Sequence, residues 1–523
     1  MRTKNSFFNF LANTGSHIIN VILSFIVRTI FVYVLSQEYL GVNGLFGNIL
    51  TVLSLAELGI GGAMTFHLYK PIAEGNEESI RQLMNLYKRL YTIVAIVVAA
   101  MGLALVPFLD IFVNGETSMG MQTLTIIYLL YLANTVCSYL WGYKRAIIDG
   151  HQKAYIGTIY NTVFTMTQFV LQIIVLLAFK NFLLYLIIQI ACSIATNIVV
   201  ARKADKMFPY LKEDKKSLPS KEEKKKIGKS VGAMSLHKLG DVVVNNTDNL
   251  IMSAFVGLIS TGIYSNYQMI QATVNTALNG VFGAFTASIG NLGAMEDKNR
   301  IYEVYKSLLF LGFWLYGFST AAFIILYNPF IATWTSGAEG IFIFSMPVVL
   351  LIVANYYVAG MRKVTLIFRD ALGLYWYDRY KPIAEVIINL VFSLLLVVKI
   401  GIEGIFIGTL ISTMTTCFWI EPLVTYKYGF KKKVRSYFAY FALYTAIVTV
   451  VTAFNYWLCD YVCSALGVSG WLDVAVRAVV LTVVYNAIIL LMFFKTKEFR
   501  FIWGKAMGLL KGYINRKKNI DGE

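Results

Sequence analysis

The chain has 523 residues, of which 57% are hydrophobic and only 14% are charged, and its mean hydropathy is +0.63. A soluble domain carries about 25% charged residues, so this composition excludes an ordinary cytosolic enzyme, a disordered chain and a secreted disulfide scaffold. The formal net charge of +17 would indicate a nucleic-acid partner only in a soluble protein, and the five cysteines form no CxxC pair.

Apolar segments of membrane-spanning length follow one another along the chain. A membrane helix needs about 20 mostly apolar residues, and the first apolar stretch is too long, and lacks the cleavage site, for a signal peptide. We therefore predict an all-α integral membrane protein with 14 transmembrane helices. They are predicted at 7–35, 39–66, 88–110, 121–141, 154–178, 182–201, 230–256, 260–289, 306–327, 341–361, 381–399, 403–424, 437–459 and 471–494.

The positive charges alternate with these segments. If the N-terminus is inside, 41 of the 46 lysines and arginines fall in cytoplasmic connections, and only Lys180 and Lys399 fall in outer ones. This is the bias expected of a multi-pass protein. It predicts a bacterial cytoplasmic membrane protein with both termini in the cytoplasm and no nucleic-acid partner. The other three basic residues, Arg28, Lys238 and Arg477, lie inside predicted helices.

A weak internal repeat divides the chain. Residues 35–49 resemble 256–270, and residues 78–90 resemble 296–308, each pair on the same predicted side of the membrane. Such parallel repeats are typical of transporters that hold substrate between two bundles. We predict two pseudo-symmetric six-helix lobes and two C-terminal helices. The predicted divisions are an N-terminal lobe at 1–201, a basic cytoplasmic linker at 202–229, a C-terminal lobe at 230–424, two further helices at 425–494 and a basic cytoplasmic tail at 495–523.

Polar residues recur at helical spacing inside several predicted spans. The first and seventh helices, which are equivalent in the repeat, are each polar on one side, and the eighth carries amides one turn apart. We interpret these stripes as the lining of a central hydrophilic cavity, the alternative being hydrogen bonds between helices. The predicted lining residues are Asn13, His17, Asn20, His237, Asp241, Asn245, Gln271 and Asn275.

Charged residues inside the helices are the candidates for substrate binding and ion coupling. Arg28 and Lys238 are predicted to bind phosphate, since a guanidinium pairs with phosphate oxygens in a bidentate manner. Either side chain could instead extend to the membrane surface, and Lys238 could instead pair with Asp241. Arg477 is predicted to be an interfacial anchor. Four residues are candidates for coupling to Na⁺ or H⁺, with a buried ion pair as the alternative for the third: Glu57, Asp248, Glu385 and Asn389.

No residue pattern indicates an enzyme. The four histidines have no metal-ligand spacing, and no nucleophile or paired-carboxylate motif stands out. We therefore expect no catalytic residues, no cofactor and no firmly assigned metal site.

Several long segments resemble the Wzx-type polysaccharide flippases of the multidrug/oligosaccharidyl-lipid/polysaccharide (MOP) superfamily. The resemblance implies a MATE-like fold that moves undecaprenyl-diphosphate-linked oligosaccharide between leaflets by alternating access, for assembly of a surface polysaccharide. It places Arg28 and Lys238 where basic residues meet the diphosphate, and it implies membrane lipids and other polysaccharide-assembly proteins as partners. The segments that carry it are VRTIFVYVLSQEYLGVNGLFGNILTVLSLAELGIGGA (27–63), LYKPIAEGNEESIRQLMNLYKRLY (68–91), HKLGDVVVNNTDNLIMSAFVGLISTGIYSNY (237–267), TASIGNL (286–292) and GMRKVTLIFRDALGLYWYDRYKPIAEVIINLVFS (360–393).

Two other functions stay open on the sequence. A cation-coupled multidrug exporter would share the fold, and a membrane polysaccharide polymerase or ligase is a rival from a different class. The second rival is disfavoured because the predicted outer loops are short.

Overall fold

The computed structural model describes residues 2–57, 60–113, 119–212, 217–295, 297–338, 340, 342–505 and 507. Within these ranges it describes all side chains except those of 2–11, 14, 55–56, 62, 212, 230, 233–234, 236–245, 284, 286–288, 290–295 and 375. The described residues contain helices and turns and no strand. The predicted all-α fold is therefore confirmed.

The helices form two compact units. Unit 1 comprises the residues up to Ser265 together with Gly337–Gly340, and unit 2 comprises Asn266–Ser336 and the residues from 341 onwards. The division lies far beyond the predicted linker at 202–229. The two compact units do not test the predicted lobes at 1–201 and 230–424, which therefore stay a prediction.

Ten α-helices and the beginning of an eleventh lie in the described part of unit 1. The predicted spans 121–141 and 154–178 each nearly coincide with one of them. The helices are α1 (Arg2–Val34), α2 (Gln37–Leu53), α3 (Ile60–Glu74), α4 (Glu77–Leu105), α5 (Leu109–Phe112), α6 (Met121–Gly142), α7 (Arg145–Gly150), α8 (Ala154–Phe179), α9 (Phe182–Met207), α10 (Lys221–Phe255) and α11 (Leu258–Met295), and α11 continues into unit 2. Polar caps fix several of these starts. Asn76 and Asn181 each accept a hydrogen bond from a backbone N–H of the first turn, and Ser220 forms a capping box with Glu223.

The predicted span 39–66 is broken into two helices. A short 3-10 helix, Ser54–Glu57, separates α2 from α3, and three glycines lie between positions 59 and 62. Glycine weakens a helix because it loses more backbone freedom than other residues. The sequence pattern of apolar residues continues across this break, which is why the two pieces read as one span.

Helix α10 belongs to unit 1 because it packs on α2, α3 and α5. The following turn brings the beginning of α11 against α2. A Cβ atom on Gly41 would lie 2.1 Å from the Leu258 carbonyl oxygen, and one on Gly262 would lie 2.9 Å from the Gly41 backbone N. The two glycines that the repeat makes equivalent therefore pack against each other's helices, at a distance that no larger residue permits.

Among its described residues, unit 2 contains the remainder of α11, a helical stretch at 497–505 and seven helices with defined bounds. They are α12 (Lys298–Trp334), α13 (Met346–Ala371), α14 (Lys381–Ile400), α15 (Ile402–Thr415), α16 (Cys417–Val424), α17 (Arg435–Leu466) and α18 (Gly470–Phe493), with a π-helix at Thr425–Phe430. The core lies along α12, which packs on α13, α17 and α18 and buries Tyr305, Phe310 and Phe313. The predicted span 341–361 begins and ends too early. Pro347 in the first turn of α13 is compatible with a start at Met346, since that position needs no intrahelical N–H donor.

A close helical hairpin joins α14 and α15. Gly401 has a φ of +64°, which favours glycine at the turn. Cβ atoms on Gly404 and Gly408 would lie 2.4 Å from the Leu396 carbonyl carbon and from the Ser393 hydroxyl, respectively. Small residues one turn apart thus allow the two backbones to approach, as they do in other membrane helix pairs.

Eleven helical segments are long and apolar enough to cross a membrane, among the described residues. The three predicted spans not among them are 39–66, which is broken, and 230–256 and 260–289, which carry the polar stripes. Long helices occupy both of these last two places. The multi-pass membrane fold is confirmed, and the count of fourteen stays a prediction.

Candidate functional site

Arg28 lies in a polar environment within unit 1. Its guanidinium Nη2 donates a hydrogen bond to the Ser265 hydroxyl at the beginning of α11. It also interacts electrostatically with Tyr131 on α6 and Tyr185 on α9, and the Tyr131 hydroxyl donates to the Asn43 side-chain oxygen. Four helices and the start of α11 thus converge on one half-buried cation.

The Arg28 group is suited to an anionic ligand. A guanidinium has five N–H donors and no acceptor, and hydroxyl and amide groups around it can donate further hydrogen bonds to phosphate or sugar oxygens. A shallow crevice lies beside it between α6 and α9, lined by Tyr131, Asn134 and Gln189 among others. This crevice by itself does not accommodate an oligosaccharide.

The polar stripe of α1 is partly used in packing within unit 1. The Asn13 side-chain oxygen accepts a hydrogen bond of 3.0 Å from the Thr158 hydroxyl, and Ser16 is hydrogen-bonded to Thr162 on the same helix, α8. Asn20 donates to Ser16 at 3.5 Å, and its side-chain oxygen is buried without a hydrogen-bond partner. Asn13 thus makes a hydrogen bond between helices, and its role as a cavity residue stays a prediction. His17 is exposed.

Most of the stripe on α10 cannot be located. His237, Lys238, Asp241 and Asn245 lie outside the residues whose side chains the structure describes. In unit 2, Gln271 and Asn275 lie one turn apart on α11, and both are half-buried. Of the two phosphate candidates, the structure describes the side chain of Arg28 but not that of Lys238. Their joint role stays a prediction.

The coupling candidates fall into different environments. In unit 1, Glu57 occupies the break between α2 and α3 and accepts a hydrogen bond from the Tyr91 hydroxyl, while Asp248 is buried on α10. In unit 2, Glu385 and Asn389 lie one turn apart on α14. Asn389 is fully buried, donates to the Thr409 hydroxyl at 2.9 Å and leaves its own side-chain oxygen without a partner. Among the described residues no group of three His, Cys, Asp or Glu could hold a metal ion.

Unit 2 contains a buried ion network that the sequence did not predict. Glu421 on α16 is fully buried and accepts two hydrogen bonds from Arg362, at 2.7 and 2.9 Å, and one from Lys381. Arg362 and Lys381 are 8% and 9% exposed, although their positions in the sequence favour a solvated cytoplasmic connection. Glu385 interacts electrostatically with Arg362, in keeping with the ion-pair alternative for that residue. The available signal was Glu421, a carboxylate far from the start of the mostly apolar predicted span 403–424.

Arg477 is part of a second ion-paired group in unit 2. It contacts Asp473 on its own helix at 2.9 Å and Asp460 on α17 at 3.0 Å. These pairs join α17 to α18 close to the turn between them. Cys459 and Cys463 nearby are free thiols. The arginine is therefore held by two carboxylates, and no feature of this group points to substrate.

Comparison with known proteins places the fold. A family model described as polysaccharide biosynthesis protein matches residues 6–286, more than half of the chain. The lipid II flippase MurJ, in an inward closed conformation, superposes with a TM-score of 0.65 at 12% identity, over 93% of this chain and 98% of that chain. No curated protein sequence gives a significant match.

Multidrug transporters share the same fold. An inward-facing MATE family transporter of the MOP superfamily gives a TM-score of 0.58 at 16% identity, over 76% of this chain and 91% of that chain. A MATE transporter of Vibrio cholerae gives 0.55 at 17% identity, over 83% and 99%. The predicted MATE-like fold is confirmed, and the solved structures that share it are those of transporters. The family match agrees with the polysaccharide part of the predicted resemblance. The chain therefore belongs to the polysaccharide biosynthesis protein family.

Proposed function

We propose that this protein is a flippase that moves an undecaprenyl-diphosphate-linked oligosaccharide from the inner to the outer leaflet of a bacterial cytoplasmic membrane. The family match supports a role in polysaccharide assembly, and the fold is one that a lipid-linked precursor flippase also has. Alternating access of two helical bundles accounts for the movement, because each bundle presents polar groups in an otherwise apolar span.

Arg28 is the residue on which the proposal chiefly depends. It is a cation inside a predicted span, and hydroxyl and phenol groups from three other helices surround it. A charge held within the membrane is costly and usually functional. In the proposed mechanism Arg28 binds the diphosphate, Lys238 supplies a second contact, amides such as Gln271 and Asn275 bind the sugars, and the prenyl tail stays in lipid.

Ion coupling is part of the same proposal. Interrupted helices in transporters often place carboxylates and free backbone carbonyls together, and Glu57 lies at the interruption between α2 and α3. We assign Glu57 as the first candidate to exchange Na⁺ or H⁺, with Asp248 and the pair Glu385 and Asn389 as the others. Membrane lipids and other polysaccharide-assembly proteins are the proposed partners.

Liposomes that contain the full-length protein and a fluorescent undecaprenyl-diphosphate oligosaccharide provide the test. Movement between leaflets is measured as the labelled lipid that becomes accessible to an impermeant quencher, with and without an Na⁺ or H⁺ gradient. We expect Arg28→Gln to slow this movement by about tenfold or more, since hydrogen bonds to charged groups contribute about 1.5–3 kcal/mol. Arg28→Lys should retain part of the rate, because it keeps the charge without the bidentate donors.

Lys399→Gln is the matched control, because Lys399 is an exposed basic residue at the far end of α14. It should behave as the wild type does. An Arg28→Gln variant that flips at the wild-type rate would show that Arg28 does not bind the diphosphate. A protein that leaves the lipid-linked sugar in place but expels organic cations would instead be a multidrug exporter, the second candidate that the MATE-like fold supports.

A further inference from the structure

A surface of exposed aromatic and basic side chains lies where the α13–α14 connection meets the π-helix Thr425–Phe430 in unit 2. Trp376 and Tyr380 are 64% and 68% exposed. We call this surface the interfacial patch. It consists of Trp376, Tyr377, Arg379, Tyr380, Lys427 and Tyr428, all of which are exposed.

The connection that carries the interfacial patch has a defined conformation. Gly373 has a φ of +69° and is followed by a short 3-10 helix, Leu374–Trp376. Asp378 is only 5% exposed and accepts a hydrogen bond of 2.5 Å from Arg369 at the end of α13. Because Asp378 is held inward in this way, the exposure of its neighbours Tyr377 and Arg379 is built into the turn.

Aromatic rings hold the basic groups of the interfacial patch. The Arg379 guanidinium lies 4.3 Å from the ring centroid of Trp376 and 4.6 Å from that of Tyr380, and it donates to the Trp376 carbonyl oxygen at 3.1 Å. Tyr377 stacks on Tyr428 with centroids 4.0 Å apart, and the Lys427 ammonium lies 5.2 Å from the Tyr428 centroid. These contacts order the long basic side chains without neutralising them.

The basic residues of the interfacial patch have no carboxylate partner among the described residues, because the nearby carboxylates are paired with other basic residues. Asp370 and Asp378 are both paired with Arg369, and Glu421 is paired with Arg362 and Lys381. Arg379 and Lys427 form no ion pair with a described carboxylate, and Lys431, Lys432 and Lys433 are exposed directly after the π-helix. An anion is the ligand that this arrangement favours.

We propose that the interfacial patch binds the phosphate headgroup of an anionic phospholipid in the cytoplasmic leaflet. The connection is short and joins two membrane-length helices, Met346–Ala371 and Lys381–Ile400, so it lies at the membrane surface. Tryptophan and tyrosine prefer the headgroup region, and each basic residue near an anionic leaflet contributes about 1 kcal/mol of attraction. In this proposal Arg379 and Lys427 contact the phosphate, and Trp376 and Tyr380 lie among the headgroups. The assignment does not depend on which substrate the protein transports.

Native mass spectrometry of the full-length protein, released from nanodiscs of equal parts phosphatidylcholine and phosphatidylglycerol, tests this site. We expect the wild type to retain phosphatidylglycerol several-fold over phosphatidylcholine. Arg379→Gln and Trp376→Ala should each lower the retained phosphatidylglycerol several-fold. Arg500→Gln is the control, because Arg500 is an exposed arginine of the same unit outside the patch, and it should retain lipid as the wild type does.

Three results would overturn the proposal. Equal retention of both lipids by the wild type would mean that the patch is an aromatic belt without headgroup preference. Retention unchanged by Arg379→Gln would place the lipid elsewhere, and loss of the lipid on addition of free pyrophosphate alone would indicate a site for soluble phosphate. Thermal unfolding of each variant in one detergent separates lost binding from lost folding, and Arg379→Lys, which keeps the charge, should retain most of the lipid if the fold is intact.

Discussion

The buried ions of unit 2 show how much a residue's environment depends on its partners. Arg362 and Lys381 are buried cations, yet Glu421 satisfies both of them with three hydrogen bonds. Removing one partner of such a group leaves a buried charge without compensation, which costs far more than the pair itself contributes. The network therefore holds α13, α14 and α16 together, and its members are poor candidates for substrate binding.

We expect Glu421→Gln to destabilise the protein by about 3–5 kcal/mol, since Arg362 and Lys381 would be left buried with no counter-charge. Thermal unfolding in detergent, followed with a thiol-reactive dye, measures the change. Glu303→Gln is the control. Glu303 is paired with Arg300 at 3.1 Å, but both side chains are more than half exposed, so the loss should be below about 1 kcal/mol. A Glu421→Gln protein as stable as the control would contradict the structural role.

Some features of single residues can be predicted from the sequence, and others depend on a side chain from another helix. Arg28 was identified because a cation is rare in an apolar helix, and its position inside the helix needs no further information. Asn13 is predicted to line a cavity; its side chain also accepts a hydrogen bond from the Thr158 hydroxyl on another helix, and the cavity role stays a prediction. Arg362 and Lys381 looked like surface charges, because the carboxylate that buries them is 40 or more positions away along the chain.

At the scale of elements, glycine positions decide how closely helices approach. Gly41 on α2 and Gly262 on α11 lie in repeat-equivalent sequences, and each has backbone of the opposite helix within 3 Å of an ideal Cβ position. Such a contact tolerates no side chain unless the helices separate. The α14–α15 hairpin uses Gly404 and Gly408 in the same way.

We expect Gly41→Ala to destabilise the protein and to slow transport, because the added methyl would meet the Leu258 carbonyl oxygen at 2.1 Å. The loss of stability should be about 1–3 kcal/mol, the usual range for overpacking. Gly47→Ala on the same helix is the matched control, since nothing lies within 4 Å of its Cβ position and alanine favours a helix. Melting temperature and the liposome assay measure both effects. If the two variants melted at the same temperature, the close approach of α2 and α11 would not be needed for stability.

Element boundaries followed the sequence where composition changes and failed where it does not. The end of α8 and the start of α9 lie within two residues of the predicted positions, because Lys180 and Asn181 interrupt the apolar run between the two helices. By contrast, the break at Ser54–Glu57 lies in a mostly apolar run, and the junction of α15 and α16 at Thr416 contains no glycine, proline or charged residue, so both were predicted as single helices. These interruptions depend on backbone geometry, which hydropathy does not record.

At the scale of the whole molecule, charge predicts topology. The distribution of lysine and arginine along the chain indicates cytoplasmic termini, with Lys180 and Lys399 on the opposite side of the membrane. Both residues are exposed at the ends of helix pairs, α8–α9 and α14–α15, and are accessible to a reagent.

Cysteine labelling in intact cells tests this orientation. With the five native cysteines replaced, we expect Lys180→Cys and Lys399→Cys to react with a membrane-impermeant maleimide added from outside. Lys153→Cys and Arg500→Cys, on predicted cytoplasmic connections, should react only after the cells are permeabilised. Labelling of Arg500→Cys in intact cells would show that the orientation is the reverse of the predicted one, and that the interfacial patch faces the outer leaflet.

The sequence by itself determined that this is a helical, multi-pass membrane protein of the polysaccharide biosynthesis protein family, because hydropathy, charge bias and family resemblance are properties of the chain taken in order. It also made Arg28 a candidate, since a charge in an apolar helix is visible without a fold. Only the tertiary structure decided which polar residues pair with one another, where helices break, and that α10 packs in unit 1. It alone revealed the Glu421 network and the interfacial patch, because both depend on side chains that are distant in sequence and close in space.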